Sequence, residues 1–188
     1  MDAYKYYLKG RNFWNHRGLA DFDSAEANFK EAIKLDPSYA LAYAGLADCY
    51  TYHQNGMSQL EAMPIAKEFV DKALALDSNL SEGYTSLGFI QYNFDYEWEQ
   101  SRKTLERAIE LEPGNPTAHF YYGNVLQFTG NTEEGLKEVE KAVGLNPLGW
   151  AENWVLGRNS YFAGLSDKAI SQFKKALQMA PGQAEVAD

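Results

Sequence analysis

The residues of this chain that are able to carry out chemistry are few, and their spacing matches no catalytic or metal-binding motif. Cys49 is the single cysteine, which excludes an internal disulfide and a cysteine-based zinc site. No lysine or arginine lies within a helical turn of Cys49, so we expect a packed, inert thiol. The histidines His16, His53 and His119 are scattered without metal-ligand spacing. HExxH, GxxxxGKS/T and serine–histidine–aspartate patterns are missing from the sequence, so we predict no enzyme, no cofactor and no metal site.

Two pairs of neighbouring acidic residues have the residue types of a general acid–base site. They are Glu97 with Glu99, and Glu133 with Glu134. Both pairs stand where a helical pattern begins, and negative charge in the first turn of a helix complements the helix dipole. We therefore interpret both pairs as solvated residues at helix starts rather than as catalytic carboxylates.

Composition and charge exclude further classes of function. Of the 188 residues, 45% are hydrophobic and 23% are charged, which is the composition of a folded chain able to bury a core. The 17 lysines and arginines against 26 aspartates and glutamates give a net charge of −9. This charge argues against nucleic acid and against an anionic membrane as partners, because both need clustered positive charge. The uncharged stretch 113–132 contains too many prolines, glycines and amides to span a membrane. We expect a cytoplasmic protein, which the cysteine content permits.

An internal sequence repeat predicts the helices that would hold the side chains of a functional site in place. A short motif recurs five times, for example in KEAIKLDPS and ERAIELEPG. It consists of an alanine, an apolar residue, a short variable stretch and usually a proline. Successive copies are separated by 41, 35, 34 and 34 residues, and a 34-residue period is typical of a two-helix repeat. The shared alanines are Ala32, Ala73, Ala108, Ala142 and Ala176.

Each repeat also carries two small residues that allow helix backbones to approach closely. The first set is Gly10, Ala47, Gly88, Gly123 and Gly157. The second set is Ala25, Ala66, Ser101, Gly135 and Ala169, each followed four residues later by an apolar residue. Spacings of three, four and seven lie on one helix face, so each repeat is predicted to form helix A, a turn and helix B. The predicted A helices cover 2–15, 39–54, 80–93, 116–129 and 150–163, and the B helices cover 22–35, 60–77, 97–111, 132–144 and 166–179.

Three of the repeats are longer than the others between their two small residues. The first has three extra residues, the second has seven and the third has one. We expect all three insertions to bulge from the turn between helices A and B, without changing how the repeats stack.

This pattern resembles the tetratricopeptide repeat (TPR) family over nearly the whole chain. Five consecutive units match, at approximately 4–38, 39–79, 80–114, 115–148 and 149–182, and 183–188 is predicted to begin a further or capping helix. The resemblance implies an all-α fold, a right-handed α-solenoid with its A helices on the concave side. The segments YYLKGRNFWNHRG, DPSYALAYAGLADCY and FDYEWEQS are similar to TPR regions of bacterial signalling proteins, which implies a regulatory context.

The concave side implied by this resemblance is where we predict that a peptide or partner protein binds. Its rings would supply contact area and its amides would bond an extended backbone. The predicted contact residues are Tyr7, Arg11, Asp48, Tyr52, Phe89, Tyr92, Asn93, Phe120, Asn124, Phe128, Trp154 and Arg158. Asn124 and Arg158 occupy equivalent positions, where some TPR domains grip a C-terminal carboxylate. Asp48 and Phe89 hold that position in other repeats, so the full clamp is absent and we predict no chaperone tail as ligand.

The last predicted helix supports an alternative hypothesis. It carries Ile170, Phe173 and Leu177 on an apolar face, whereas the terminal helix of a repeat array usually has a polar outer face. We favour the interpretation that this chain is a piece of a longer protein. The alternatives are that the short C-terminal tail folds back over this face, or that a second copy covers it, giving a homodimer through the C-terminal end. The alternative function is therefore a homo-oligomerisation module of a larger bacterial signalling protein.

Overall fold

The computed structural model describes residues 2–16, 19–52 and 57–180, and within them the fold is all-α. The A helices are α1 (Asp2–His16), α3 (Ala40–Tyr52), α5 (Ser81–Ile90), α7 (Pro116–Phe128) and α9 (Trp150–Phe162). The B helices are α2 (Leu19–Leu35), α4 (Gln59–Leu76), α6 (Trp98–Leu111), α8 (Thr132–Leu145) and α10 (Ser166–Met179). All ten predicted helices are confirmed to within a few residues. The helix predicted from 183 onward, and His53, lie outside the described residues.

The chain divides into two compact units. Unit 1 is Met1–Glu97 and contains α1 to α5, and unit 2 is Trp98–Asp188 and contains α6 to α10. In unit 1, α1 packs on α2 and α3 on α4, and the three A helices contact one another in order. In unit 2, α7 packs on α8 and α9 on α10, while α7 also contacts α9. Each B helix in these pairs also contacts the next A helix of its unit, as α2 contacts α3 and α8 contacts α9.

The predicted small residues lie where helices approach most closely. A Cβ atom on Gly10 would lie 2.6 Å from the ring of Phe29, and one on Gly45, which was not among the predicted small residues, would lie 2.6 Å from the same ring. In unit 2, a Cβ on Gly123 would lie 2.7 Å from the backbone oxygen of Gly135. Such distances are shorter than van der Waals contact, so these crossings require glycine.

The insertions are accommodated differently from the prediction. The first two repeats have longer B helices, with 17 residues in α2 and 18 in α4 against 14 in α6, α8 and α10. The single extra residue of the third repeat forms a π-helical turn, Gln91–Asp95, at the end of α5. A π turn spans one residue more than an α turn, so it takes up one insertion. The expectation of a bulge from the A–B turn is therefore wrong for the third repeat, whereas residues 17–18 and 53–56, in the turns of the first two repeats, lie outside the described residues.

One side chain in each of four A helices ties that helix to the turn before it. Each donates a hydrogen bond to the carbonyl oxygen six residues earlier, at 3.0 to 3.2 Å. The donors are Tyr43, Tyr84, His119 and Asn153. His119 also contacts Glu138 of α8, with Nδ1 2.6 Å from Oε2. His119 therefore packs between α7 and α8.

Candidate functional site

In unit 1, a single carboxylate joins the three A helices. Arg11 Nη1 of α1 donates to Asp48 Oδ2 of α3 at 2.7 Å, and Ser86 Oγ of α5 donates to Asp48 Oδ1 at 2.6 Å. Burial lowers the pKa of Arg11, but the Asp48 carboxylate beside it raises that pKa, and the net result lies above the ordinary value. The charge of Arg11 is therefore balanced inside the unit.

The aromatic residues beside this network pack mainly on one another. The guanidinium of Arg11 lies over the ring of Trp14 at 4.5 Å, and Trp14 meets Tyr52 edge to face at 5.8 Å. Tyr52 in turn stacks on Phe89, with ring centroids 5.5 Å apart. Tyr52, Phe89 and Tyr92 are half-buried, and Asn93 is exposed. Most of the ring area in unit 1 is thus already used in packing.

In unit 2, α7 and α9 carry the same kind of pair with more of its surface open. Arg158 Nη2 of α9 donates to Asn124 Oδ1 of α7 at 2.6 Å, and its guanidinium lies 5.4 Å from the ring centroid of Trp154. Trp154 is 42% exposed, and Phe128, at the end of α7, is 59% exposed. We call the residues Asn124, Phe128, Trp154 and Arg158 the α7–α9 surface. Tyr161 and Phe162 extend its exposed rings along α9.

The hydrogen bond from Arg158 fixes the orientation of the Asn124 side chain. Because the guanidinium is a donor only, the atom that faces it must be the amide oxygen. The amide nitrogen of Asn124 is then the group left to donate, on a residue that is buried, with 5% of its surface exposed. The α7–α9 surface therefore combines exposed rings, an oriented amide and a cation.

Besides Asn124, two predicted contact residues are buried, and both belong to the core. Tyr7 is buried against Tyr39, at 5.5 Å between ring centroids, and burial raises its pKa. Phe120 is buried in unit 2, with its ring 4.9 Å from that of Tyr121. Each lies three residues before the small residue of its A helix, as does the exposed Trp154, so neighbouring rings rather than the repeat position decide the burial of Tyr7 and Phe120. Assigning Tyr7 and Phe120 to a ligand-contacting surface was wrong.

The candidates for chemistry occupy structural positions. Cys49 lies in the core of unit 1, and burial raises the pKa of its thiol. Glu99, Glu133 and Glu134 are exposed in the first turns of α6 and α8, as expected, whereas Glu97 precedes α6. Among the described residues, no group of three or more histidine, cysteine, aspartate or glutamate side chains is arranged to hold a metal ion. No described helix is both long and apolar enough to cross a membrane.

Comparison with protein families identifies the repeat. Two family models, both described as tetratricopeptide repeat, match residues 11–56 and 104–137. The first match runs from within α1 through α2 and α3, and the second runs from within α6 through α7 into α8. Both stretches are similar to the tetratricopeptide repeat family. The curated relatives of this chain include the Hsp70-Hsp90 organizing protein of Triticum aestivum, 31% identical over 94 residues, which are 50% of this chain and 15% of the relative. A second is Hsp70-Hsp90 organizing protein 3 of Arabidopsis thaliana, 29% identical over 57% of this chain and 17% of the relative. The chain thus spans about a sixth of the length of these relatives.

Solved structures with this fold include several TPR proteins. The crystal structure of MamA is 28% identical, with a TM-score of 0.56, over 88% of this chain and 92% of that one. A thermophilic TPR protein of Thermus thermophilus is 20% identical, with a TM-score of 0.72, over 98% of this chain and 94% of that one. YrrB, described as a TPR protein with an unusual peptide-binding site, is 22% identical, with a TM-score of 0.55, over 97% and 89% of the two chains. At these identities the last two establish the fold alone.

Proposed function

We propose that this protein is a non-catalytic scaffold that binds a peptide or a partner protein on the α7–α9 surface. The observation that carries the proposal is the Arg158 side chain, held between Asn124 and Trp154 beside exposed rings. TPR proteins are typically interaction modules, and the relatives named above are organisers of Hsp70 and Hsp90. The resemblance to TPR regions of bacterial signalling proteins favours a regulatory context for this binding.

Binding at this surface would draw its free energy from the rings and its orientation from the polar groups. Exposed aromatic area contributes roughly 25 cal/mol per Å² when a partner removes it from water. Phe128 and Trp154 offer such area on two neighbouring helices. The Asn124 amide would donate to a backbone carbonyl of the ligand, and Arg158 would fix the register.

The remaining predicted residues support unit 2 as the principal contact surface. In unit 1, Asp48 balances the charge of Arg11, and Tyr52 and Phe89 stack on each other. A ligand would gain less from groups that are already paired. We therefore propose Tyr52, Phe89, Tyr92 and Asn93 as secondary contacts.

The ligand we propose is an internal segment rather than a chaperone C-terminal tail. Holding a terminal carboxylate requires several donors in register on successive A helices. Here Asn124 and Arg158 supply two. Of their counterparts, Phe89 and Asp48 offer no donor, and Arg11 is paired with Asp48 inside unit 1.

The test begins by selecting ligands from a random peptide library and measuring Kd by calorimetry. We expect Phe128→Ala and Trp154→Ala each to weaken binding by about tenfold or more, because each removes an aromatic anchor. Tyr4→Ala, which removes an exposed ring from α1, is the matched control and should leave Kd unchanged. Phe128 is exposed, so its loss should leave the fold intact, as circular dichroism would verify. Unchanged affinity in both unit 2 variants would refute the α7–α9 surface as the binding site.

A further inference from the structure

The outer face of α10 is the surface of unit 2 that the proposed function leaves unused. Phe173 packs on α9, where a Cβ on Gly157 would lie 2.7 Å from its ring. Among the residues up to 180 that the structure describes, none encloses its other side: Phe173 is half-buried, while the residues at the same position of the other B helices are fully buried. Those counterparts are Phe29, Val70, Leu105 and Val139. Ile170 and Leu177 flank Phe173 on this face and are 52% and 50% exposed.

The fold itself shows which element fits such a face. In unit 1, Phe29 of α2 is enclosed by Gly10 of its own A helix and by Gly45 of α3, the next A helix. Ile33, the counterpart of Leu177, packs against the same cluster, to which α3 contributes Leu41 and Leu46. A helix laid across a B helix is therefore the arrangement that buries these positions in this chain. The face of α10 has the shape to receive one more helix.

Charge indicates the chemistry of that helix. Lys174 lies within the apolar stripe of α10, between Ile170 and Leu177, and Lys175 is exposed beside it. Asp167 is the single acidic residue of α10 and lies in its first turn, while Lys168 is paired with Glu140 of α8. In a protein of net charge −9, this is a locally basic, apolar face. We infer that α10 docks an amphipathic α-helix of a partner protein whose apolar face is bordered by glutamate or aspartate.

A second copy of this chain fits the face less well. The A helix best placed to continue the array would be α1, but it presents Lys5 and Lys9 where α3 has the buried Ala42 and Leu46. These lysines would be buried opposite Lys174. Pairing of two α10 helices would bring two copies of Lys174 together. Both arrangements place like charges in contact, which is unfavourable in a desolvated interface.

The structure supplies a probe for this inference. A synthetic helix with the sequence of α3 keeps the residues that face α2, such as Leu41, Gly45 and Leu46, and carries glutamate at positions that face α4, such as Ala44 and Ala47. A second peptide with lysine at those positions is its control. In the intact protein α2 is already covered by α3, so α10 is the face open to the probe. Binding is measured by fluorescence anisotropy of labelled peptide at low salt.

We expect the glutamate peptide to bind about tenfold or more tightly than the lysine peptide. Leu177→Lys should weaken binding of the glutamate peptide by a similar factor. Lys174→Glu should reverse the preference, so that the lysine peptide binds more tightly than the glutamate peptide. Leu60→Lys, at an exposed leucine of α4, and Phe128→Ala, on the α7–α9 surface, should change neither Kd. The inference is therefore tested separately from the proposed function. All the substituted side chains are exposed, so urea unfolding should match the parent protein.

Three results would overturn this inference. One is that the glutamate peptide does not bind. Another is equal affinity for both peptides in the parent protein and in Lys174→Glu. The third is that the mass in solution doubles from about 21 kDa with rising concentration and Leu177→Lys abolishes the doubling, because a second copy would then occupy the face.

Discussion

Asn159 is a fully buried side chain of α9 whose amide has no hydrogen-bond partner among the described residues. The same repeat position holds Cys49, Ile90 and Val125 in other A helices, and all three are buried. An unsatisfied buried polar group costs about 1–3 kcal/mol. We therefore expect Asn159→Val to raise the free energy of unfolding by about 1–3 kcal/mol, measured by urea denaturation.

Asn153 of the same helix provides a matched control for this prediction. It is equally buried, but its amide donates to the carbonyl oxygens of Pro147 and Gly149, at 3.2 and 2.8 Å. Asn153→Val should therefore destabilise the protein, because it leaves the Pro147 carbonyl without this donor. If Asn159→Val destabilised as much as Asn153→Val, a bridging water would be satisfying Asn159, and our account of the site would be incorrect.

Side-chain direction was the part of the candidate site that sequence predicted least well. Tyr7 and Trp154 are both aromatic and both lie three residues before the small residue of their helix, yet Tyr7 is buried and Trp154 is 42% exposed. The difference depends on which neighbouring rings cover each position, as Phe29 and Tyr39 cover Tyr7. A single repeat pattern cannot encode that tertiary environment. It did place Asn124 and Arg158 in register, and they are hydrogen-bonded.

At the scale of the helix pair, glycine is required only at the crossings. Gly123 of α7 has no room for a side chain, since a Cβ would lie 2.5 Å from Val139 and 2.7 Å from the Gly135 oxygen. Gly144 of α8 has nothing within 4 Å of its Cβ position. We expect Gly123→Ala to destabilise by about 1–3 kcal/mol or more through overpacking. Gly144→Ala should stabilise by roughly 0.5–1 kcal/mol through helix propensity.

Thermal or urea unfolding of the two alanine variants measures this difference directly, because both changes have the same chemistry within one helix pair. Equal effects in the two variants would mean that α7 and α8 can separate without cost. That outcome would contradict the close crossing seen in unit 2.

The helices themselves were predictable because the repeat fixes their apolar faces five times over. Small residues, an apolar residue four positions later and a closing proline all agree in most units. The insertions were not predictable, since extra residues can lengthen a helix, form a π turn or enlarge a loop. At 91–95 the π turn is followed by Tyr96, which has a φ of 59°. No spacing of residues in the sequence predicts this local conformation. In α4, Ser58 and Glu61 form a capping box that begins the lengthened helix.

At the scale of the whole chain, the two units separate the candidate binding residues into independent sets. Every member of the α7–α9 surface lies in unit 2, which has its own packed helix pairs. Repeat proteins derive their stability from contacts between neighbouring repeats. We therefore expect a fragment covering 98–188 to be helical by circular dichroism and to unfold cooperatively. It should bind a peptide selected by the full chain with a Kd within about threefold of the original.

This fragment experiment decides how much of the molecule one ligand needs. If the fragment folds but loses binding by about tenfold or more, then residues of unit 1 such as Tyr52 or Phe89 must contact the same ligand. The assignment of the site to unit 2 alone would then fail. Retained binding, lost again in the fragment carrying Phe128→Ala, would show that α7 and α9 are sufficient. The aromatic and ionic network of unit 1 would in that case serve the packing of its own helices.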